Sequence, residues 1–176
     1  ESTVMVSFGG GAAIPARVTD GTWSVDIPEA DIPTGQASAR LTVTATDANG
    51  NTRIHAEDVA VDRQVINFAP AQAQLAGDGI LNAQEAAAGL LVSGTAEARA
   101  AIVIRIAGGG TAQTTADDEG RWSTLLTGSA LPRGEIQTTL TVTATDRARN
   151  VSSYTQTLEI DTIAPGAPDL TGFTRD

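Results

Sequence analysis

The sequence predicts an all-β protein built from tandem β-sandwiches, and three patterns carry this prediction. Apolar and polar residues alternate over short stretches, as they do in strands that bury one face. Valine and threonine, whose β-branched side chains pack well in sheets, are frequent within those stretches. One block of about 100 residues is present almost twice, which indicates two copies of the same unit.

The internal repeat is clearest in the segment LTVTATD, which occupies residues 41–47 and again residues 140–146, an offset of 99 residues. The same offset places Gly21–Trp23 on Gly120–Trp122. An earlier alternating stretch aligns when the offset is one residue smaller. It pairs Val4, Val6 and Phe8 with Ile102, Ile104 and Ile106.

The second, complete copy contains seven stretches that we interpret as strands. They are Val65–Phe68, Leu90–Thr95, Ala101–Ala107, Thr111–Ala116, Arg121–Thr127, Gln137–Thr145 and Ser152–Ile160. Gly108–Gly110 lies between two of these strands and predicts a hairpin turn, since glycine tolerates positive φ. Short strands of this number and spacing are typical of an immunoglobulin-like sandwich. Trp122 and its repeat counterpart Trp23 are the large residues expected in the two cores.

One segment departs from the strand rhythm. Asn82 is followed three residues later by Glu85, then by an alanine run and Gly89. This order predicts a short helix with a capping box at its start and a glycine at its end. The predicted fold is therefore all-β, with tandem immunoglobulin-like β-sandwiches and a short helix between the first two strands.

The repeat also predicts how the chain is divided. We expect residues 1–62 to be an immunoglobulin-like repeat that lacks its first strands, and residues 63–162 to be a complete repeat. Residues 163–176 are expected to be a linker and the first strand of a third repeat, so that the chain is a window from a longer array. An alternative is that the tail at residues 169–176 pairs in trans with a neighbouring copy and completes that copy.

Composition excludes several function classes. The 21 acidic residues against 11 basic ones give a net charge of −10, which disfavours nucleic acid and anionic lipid as partners. No apolar stretch is long enough to span a membrane. The absence of cysteine excludes disulfides and thiolate metal sites, and the single histidine leaves little for a histidine-based catalytic site. The remaining carboxylates are scattered over turns, so we do not expect an enzyme.

Several motifs resemble one known family. The string GDGILNAQEAAAGLLVSGT at residues 77–95, followed by EGRWS, LTVTATD and IDTIAPGAP, resembles a bacterial Ig-like repeat of giant biofilm-associated adhesins. The resemblance implies a secreted, cell-surface protein exported by type I secretion. It also implies extender repeats that hold an adhesive tip away from the cell, and calcium that stiffens the junctions between repeats. The implied partners are neighbouring repeats of the same chain.

Aspartates at strand ends are the candidate metal ligands. In the predicted sandwich, Asp118 and Asp146 lie on loops of one pole, and Asp62 ends the first copy close to that pole. Carboxylates from three segments suit Ca²⁺, which takes six to eight oxygen ligands. The other candidates are three further aspartates, two of them repeat counterparts: Asp47, Asp161 and Asp78.

Other interpretations of these loops remain open. Aspartates at strand ends also cap their own turns without any metal. Arg147 and Arg149 stand close to Asp146 and would weaken a cation site. The sequon that begins at Asn150 is interpreted as a chance match. At the level of function, the alternative to a calcium-stiffened spacer is an immunoglobulin-like module that binds a host glycan or protein.

Overall fold

The computed structural model describes residues 2–71 and 79–168. Contacts between residues divide the chain into two compact units. The first unit comprises the residues up to 66 together with residues 146–151. The second unit comprises residues 67–145 and the residues from 152 onward. Within the described ranges, no helix has the length and apolar character that a membrane span requires.

The first unit is built on one four-stranded antiparallel sheet and one separate hairpin. Its strands are β1 (Thr3–Phe8), β2 (Ile14–Pro15), β3 (Arg17–Thr19), β4 (Thr22–Ser24), β5 (Gln36–Thr46) and β6 (Thr52–Asp62). The sheet has the order β2-β1-β5-β6, and β3 pairs with β4 in the hairpin. A 3₁₀ turn at Glu29–Asp31 precedes β5.

The second unit is a two-sheet sandwich. Its elements are β7 (Ala69–Pro70), β8 (Ile80–Asn82), α1 (Ala83–Ala88), β9 (Leu90–Thr95), β10 (Ala101–Ile106), β11 (Thr111–Thr115), β12 (Arg121–Leu126), β13 (Glu135–Thr145) and β14 (Val151–Asp161). One sheet has the order β11-β10-β13-β14-β8 and the other the order β12-β9-β7. A 3₁₀ turn at Gly128–Ala130 precedes β13. This architecture confirms the predicted all-β, immunoglobulin-like class.

The core of the second unit follows the alternation seen in the sequence. The inward side chains of both sheets are buried, and the outward ones are polar or exposed, as expected for packed sheets. The largest of these buried residues include Leu90, Val92, Ile102, Ile104, Ile106, Trp122, Leu140, Val142, Leu158 and Ile160.

Strand register confirms the one-residue shift between the two copies. Val6 of β1 lies opposite Val43 of β5, and Ile104 of β10 lies opposite Val142 of β13. The β5 and β13 positions differ by the main repeat offset, whereas the β1 and β10 positions differ by one residue fewer. The same core face is therefore presented by both sheets, because a one-residue slip would turn every side chain to the opposite face.

The predicted helix is present with both of its end signals. The Asn82 side chain accepts hydrogen bonds from the backbone N–H groups of Gln84 and Glu85, and the Glu85 carboxylate accepts one from the Asn82 N–H. Gly89 ends the helix with a φ of 100°. The helix leads from β8 into β9, and β8 is a short strand that the alternation did not predict.

The strand predicted at Val65–Phe68 is wrong. The first strand of the second unit is β7, which begins at Ala69. Asn67 has a φ of 56°, in the left-handed region, and this conformation interrupts an extended strand. Val65 is nevertheless buried, so the apolar character of the segment reflects packing without strand pairing.

The prediction that Trp23 is a core residue is also wrong. Trp122 is only 4% exposed, whereas Trp23, at the same repeat position, is 44% exposed. In the second unit, β12 carries Trp122 and pairs with β9. Among the described residues of the first unit, β4 carries Trp23 and pairs with β3 alone. The described residues of the first unit thus give Trp23 no counterpart of β9, which covers the tryptophan in the second unit.

Candidate metal site

The loop between β13 and β14 is closed by Asp146 and Asn150. The Asp146 N–H donates to the Asn150 carbonyl oxygen at 3.1 Å. In return, the Asn150 N–H donates to Asp146 Oδ1 at 2.8 Å and the Asn150 Nδ2 donates to Asp146 Oδ2 at 2.7 Å. Within residues 2–71 and 79–168, Asp146 is the one charged residue that is buried, at 7% exposure. Its carboxylate is thus held in a fixed orientation by its own loop.

The first copy contains the same loop at Asp47 and Asn51. Asp47 Oδ1 accepts from the N–H groups of Asn49 and Asn51, each at 2.8 Å, and Asn51 Nδ2 donates to Asp47 Oδ2 at 2.8 Å. The side-chain hydrogen bond from Asn51, followed by the one from its backbone, lowers the pKa of Asp47 below its ordinary value of 3.8. The spacing Asp-x-x-x-Asn is therefore a turn motif in both copies, closed by hydrogen bonds from the asparagine to the aspartate carboxylate.

Asn51→Ala is expected to raise the pKa of Asp47 towards 3.8, because the side-chain donor that favours the carboxylate is lost. A lowered pKa in the folded state stabilises the fold above the pKa of the unfolded chain, and this contribution disappears as the pH falls through the folded value. An NMR titration of the Asp47 carboxyl carbon measures the shift. Asn49→Ala is the control, because Asn49 donates to Asp47 through its backbone N–H, which the substitution leaves in place. An unchanged pKa of Asp47 in Asn51→Ala would contradict the assignment.

Asp62, at the end of β6, lies beside the Asp146 loop. Asn150 Nδ2 donates to Asp62 Oδ1 at 3.0 Å, so that one amide group contacts both carboxylates. One carboxylate oxygen of Asp62 and one of Asp146 lie within 4.8 Å of each other. Gln36 Nε2 donates to Asp62 Oδ2 at 3.3 Å. Two carboxylates at this separation repel each other, and the hydrogen bonds that they accept from Gln36 and Asn150 come from neutral amides.

The remaining predicted ligands lie elsewhere. Arg99 contacts Asp118 at 2.6 Å, so this carboxylate is paired within the second unit. Asp161 Oδ1 accepts from the Ile163 N–H at 3.0 Å and thereby caps the end of its own strand. Asp47 is exposed at the edge of its loop. Asp78 lies outside the described residues, as does the tail at residues 169–176 for which pairing in trans was considered.

The sequence prediction missed one side chain at this site. Asn150 was interpreted only as part of a chance sequon, although its counterpart Asn51 has the same spacing from an aspartate in the other copy. Arg147 and Arg149, which were expected to weaken a cation site, are both exposed.

The solved structures to which this chain is similar include those of three bacterial or large adhesion proteins. A 1.5-MDa bacterial ice-binding adhesin shares 22% identity with a TM-score of 0.46, covering 92% of this chain and 53% of that structure. A Ca²⁺-stabilised adhesin with which an Antarctic bacterium binds ice shares 27% identity with a TM-score of 0.43, covering 93% and 41%. A tetra-tandem repeat in the extending region of a large adhesion protein shares 21% identity with a TM-score of 0.41, covering 90% and 41%.

This chain spans only about half of the first of these structures and less of the other two. No curated protein matches the sequence. The family model described as the bacterial Ig domain matches residues 69–161, which correspond to the sandwich of the second unit. Because this match covers more than half of the 176 residues, the chain belongs to the bacterial Ig domain family.

Proposed function

We propose that this chain is part of the spacer region of a secreted bacterial cell-surface adhesin that supports adhesion and biofilm formation. The observation that carries the proposal is the path of the chain through the second unit. Ala69, at its start, pairs with Thr95 at one end of the sandwich. Thr162, after the last strand, donates to the Gly134 carbonyl oxygen beside the start of β13, at the opposite end. A chain that enters at one pole and leaves at the other can link many such units in series.

The strand lengths give the distance that each unit adds. β13 and β14 each contain 11 residues, and a strand rises about 3.3 Å per residue, so a unit extends the chain by about 35 Å. Pro165 and Pro168, in the segment that follows β14, restrict the backbone and limit bending there. The number of repeats, and not any single site, would then set the reach of the protein.

We further propose that Asp62 and Asp146 bind Ca²⁺ where the first repeat ends, with Asn150 as an additional ligand. The paired carboxylates supply hard oxygen donors, and a divalent cation would remove their mutual repulsion. Rotation of the Asn150 side-chain amide would present its oxygen to the ion in place of its Nδ2. Asp118 is left out of this ligand set because Arg99 pairs with it.

Calcium binding is tested by isothermal titration of the metal-free chain and by thermal unfolding. We expect binding heat and a higher melting temperature, since calcium at about 100 times its Kd adds roughly 2.7 kcal/mol of stability. Asp62→Asn combined with Asp146→Asn should abolish both effects. Asp47→Asn is the matched control, because Asp47 occupies the same loop position as Asp146 in the other copy. Absence of heat in the unchanged protein, or equal loss in the control, would reject the site.

Stiffening is tested separately by small-angle X-ray scattering with calcium and with chelator. A larger maximum dimension in calcium is expected from a stiffened spacer. An unchanged dimension despite binding heat would reject stiffening while leaving the calcium site in place. A hit on a glycan array would instead favour the ligand-binding alternative. The exposed Trp23 does not favour that alternative by itself, since its counterpart Trp122 is a core residue.

A further inference from the structure

The turn that joins β5 to β6 contains an asparagine followed directly by a glycine. Of the five asparagines in the sequence, Asn49 is the one that precedes a glycine, Gly50. Asparagine is a thermolabile residue, and a following glycine has no side chain to hinder the approach of its own nitrogen to the asparagine amide carbon. Both residues are exposed to solvent. The turn therefore places an amide and an unhindered backbone nitrogen side by side in water.

The side-chain amide of Asn49 is not engaged by the turn. Asn49 donates its backbone N–H to Asp47 Oδ1 at 2.8 Å, whereas its side chain makes no hydrogen bond within residues 2–71 and 79–168. The space around Gly50 is open, since a Cβ atom added there would meet nothing within 4 Å. The one restraint is the hydrogen bond from the Gly50 N–H to the Asp47 carbonyl oxygen, at 3.1 Å. An exposed turn of this kind opens locally at a low free-energy cost.

The second copy has the same turn without this pair of residues. Ala148 and Arg149 stand at the positions of Asn49 and Gly50. Arg149 keeps the left-handed conformation, with a φ of 72° against 85° for Gly50. Ala148 is exposed although its loop contacts Asp62. This position of the turn is therefore accessible to water even where the end of another strand lies beside the loop.

We propose that Asn49 is a site of spontaneous modification, at which deamidation converts the asparagine to aspartate and isoaspartate. The Gly50 nitrogen forms a bond to Asn49 Cγ, the bond from Cγ to Nδ2 breaks, and the proton of the Gly50 nitrogen leaves within the ammonia that is released. Water then opens the resulting succinimide. Opening at Cγ gives aspartate, whereas opening at the backbone carbonyl carbon gives isoaspartate, whose main chain runs through Cγ.

The modification weakens the closure of the turn. The Asp47 carboxylate accepts hydrogen bonds from the N–H groups of Asn49 and Asn51, and either product adds a second carboxylate that repels it. Isoaspartate also lengthens the main chain, so the hydrogen bonds of the turn cannot all be kept. Thr46 and Thr52 form the residue pair next to the turn. Their amides should therefore exchange with solvent faster in the modified chain.

The test incubates the whole folded chain in mildly alkaline buffer and follows the peptide that contains Asn49 by liquid chromatography and mass spectrometry. We expect this peptide to gain the mass difference between an amide and a carboxyl group and to separate into aspartate and isoaspartate forms. The rate should rise with pH, because the attacking nitrogen must lose its proton. Asn51 should remain unchanged, since its Nδ2 donates to Asp47 Oδ2 at 2.8 Å and β-branched Thr52 follows it.

Gly50→Arg is the matched variant, because it gives the first turn the residue that the second copy carries as Arg149. It should lose nearly all of the product in the same incubation, and Asn49→Ala should lose all of it. Equal product in Gly50→Arg, a mass gain at Asn51 in place of Asn49, or an unmodified Asn49 in the original chain would each overturn the proposal. Aspartate without any isoaspartate would reject the succinimide route.

Discussion

Replacing Trp122 with alanine is expected to lower the free energy of unfolding of the second unit by about 3–5 kcal/mol. Its side chain is 4% exposed and belongs to the core of the second unit, on β12, which pairs with β9. The same replacement at Trp23 is expected to cost only about 1 kcal/mol, since 44% of that residue is already exposed to water. The two variants remove the same side chain from the same repeat position.

Native-state hydrogen exchange measures the two costs separately. The amides of Val142 and Val43 lie in β13 and β5, so each reports on the opening of its own unit. A global denaturation curve would merge two transitions and is less suitable. Equal losses of protection in the two alanine variants would contradict the difference in burial on which this prediction depends.

Trp122→Phe provides a second comparison. The indole N–H of Trp122 is buried and has no hydrogen-bond acceptor among the described residues. An unsatisfied buried donor costs about 1–3 kcal/mol, so its removal offsets part of the packing lost with the larger ring. We therefore expect phenylalanine to be clearly less destabilising than alanine at this position.

Gly120→Ala is expected to destabilise the second unit by about 3–4 kcal/mol, combining an unfavourable backbone conformation with a steric clash. Gly120 has a φ of 80°, and a Cβ atom there would overlap the carbonyl oxygen of Ala96. Ala96 cannot easily move away, because its N–H donates to the Gly120 carbonyl oxygen at 2.8 Å. Backbone and side chain therefore both oppose the substitution.

Gly21→Ala is the matched control for this prediction. Gly21 has the same repeat position and a similar φ of 76°, but a Cβ atom there would have nothing within 4 Å. Its cost should be limited to the left-handed conformation, about 1–2 kcal/mol. Native-state hydrogen exchange, read separately in each unit, would measure both costs. If the two substitutions were equally costly, the Ala96 contact would have no role.

Much of the sandwich could be predicted from the sequence because its signals are local. Alternation located β9 with the correct bounds and β13 with its correct last residue, and the spacing of Asn82, Glu85 and Gly89 located the helix with both caps. The short strand β8 was missed because three residues are too few to show alternation. The segment before β7 was misassigned because the left-handed φ of Asn67 leaves no clear mark in the sequence.

The environment of each candidate ligand was less predictable, since it depends on contacts distant in sequence. The repeat pointed to Asp62 and Asp146, and they do lie together, 84 positions apart in the chain. The pairing of Asp118 with Arg99 could not be anticipated, because Arg99 has a left-handed φ of 63° in a turn without a distinctive pattern. The exposure of Trp23 depends on which strand packs beside it, and the Gly-x-Trp-Ser motif that both copies share carries no signal for that neighbour.

The parallel pairing of β8 with β14 has a mechanical consequence. β8 follows β7 in the first part of the second unit, β14 is the last strand, and the two pair through Ile80, Leu81 and Asn82 opposite Glu159, Ile160 and Asp161. Tension on the two chain ends would pull the strands in opposite directions along their axes. The backbone hydrogen bonds between the two strands would then be loaded together in shear. They would not break one after another from one end. A domain held in this way resists stretching even though the clamp is only three residue pairs long.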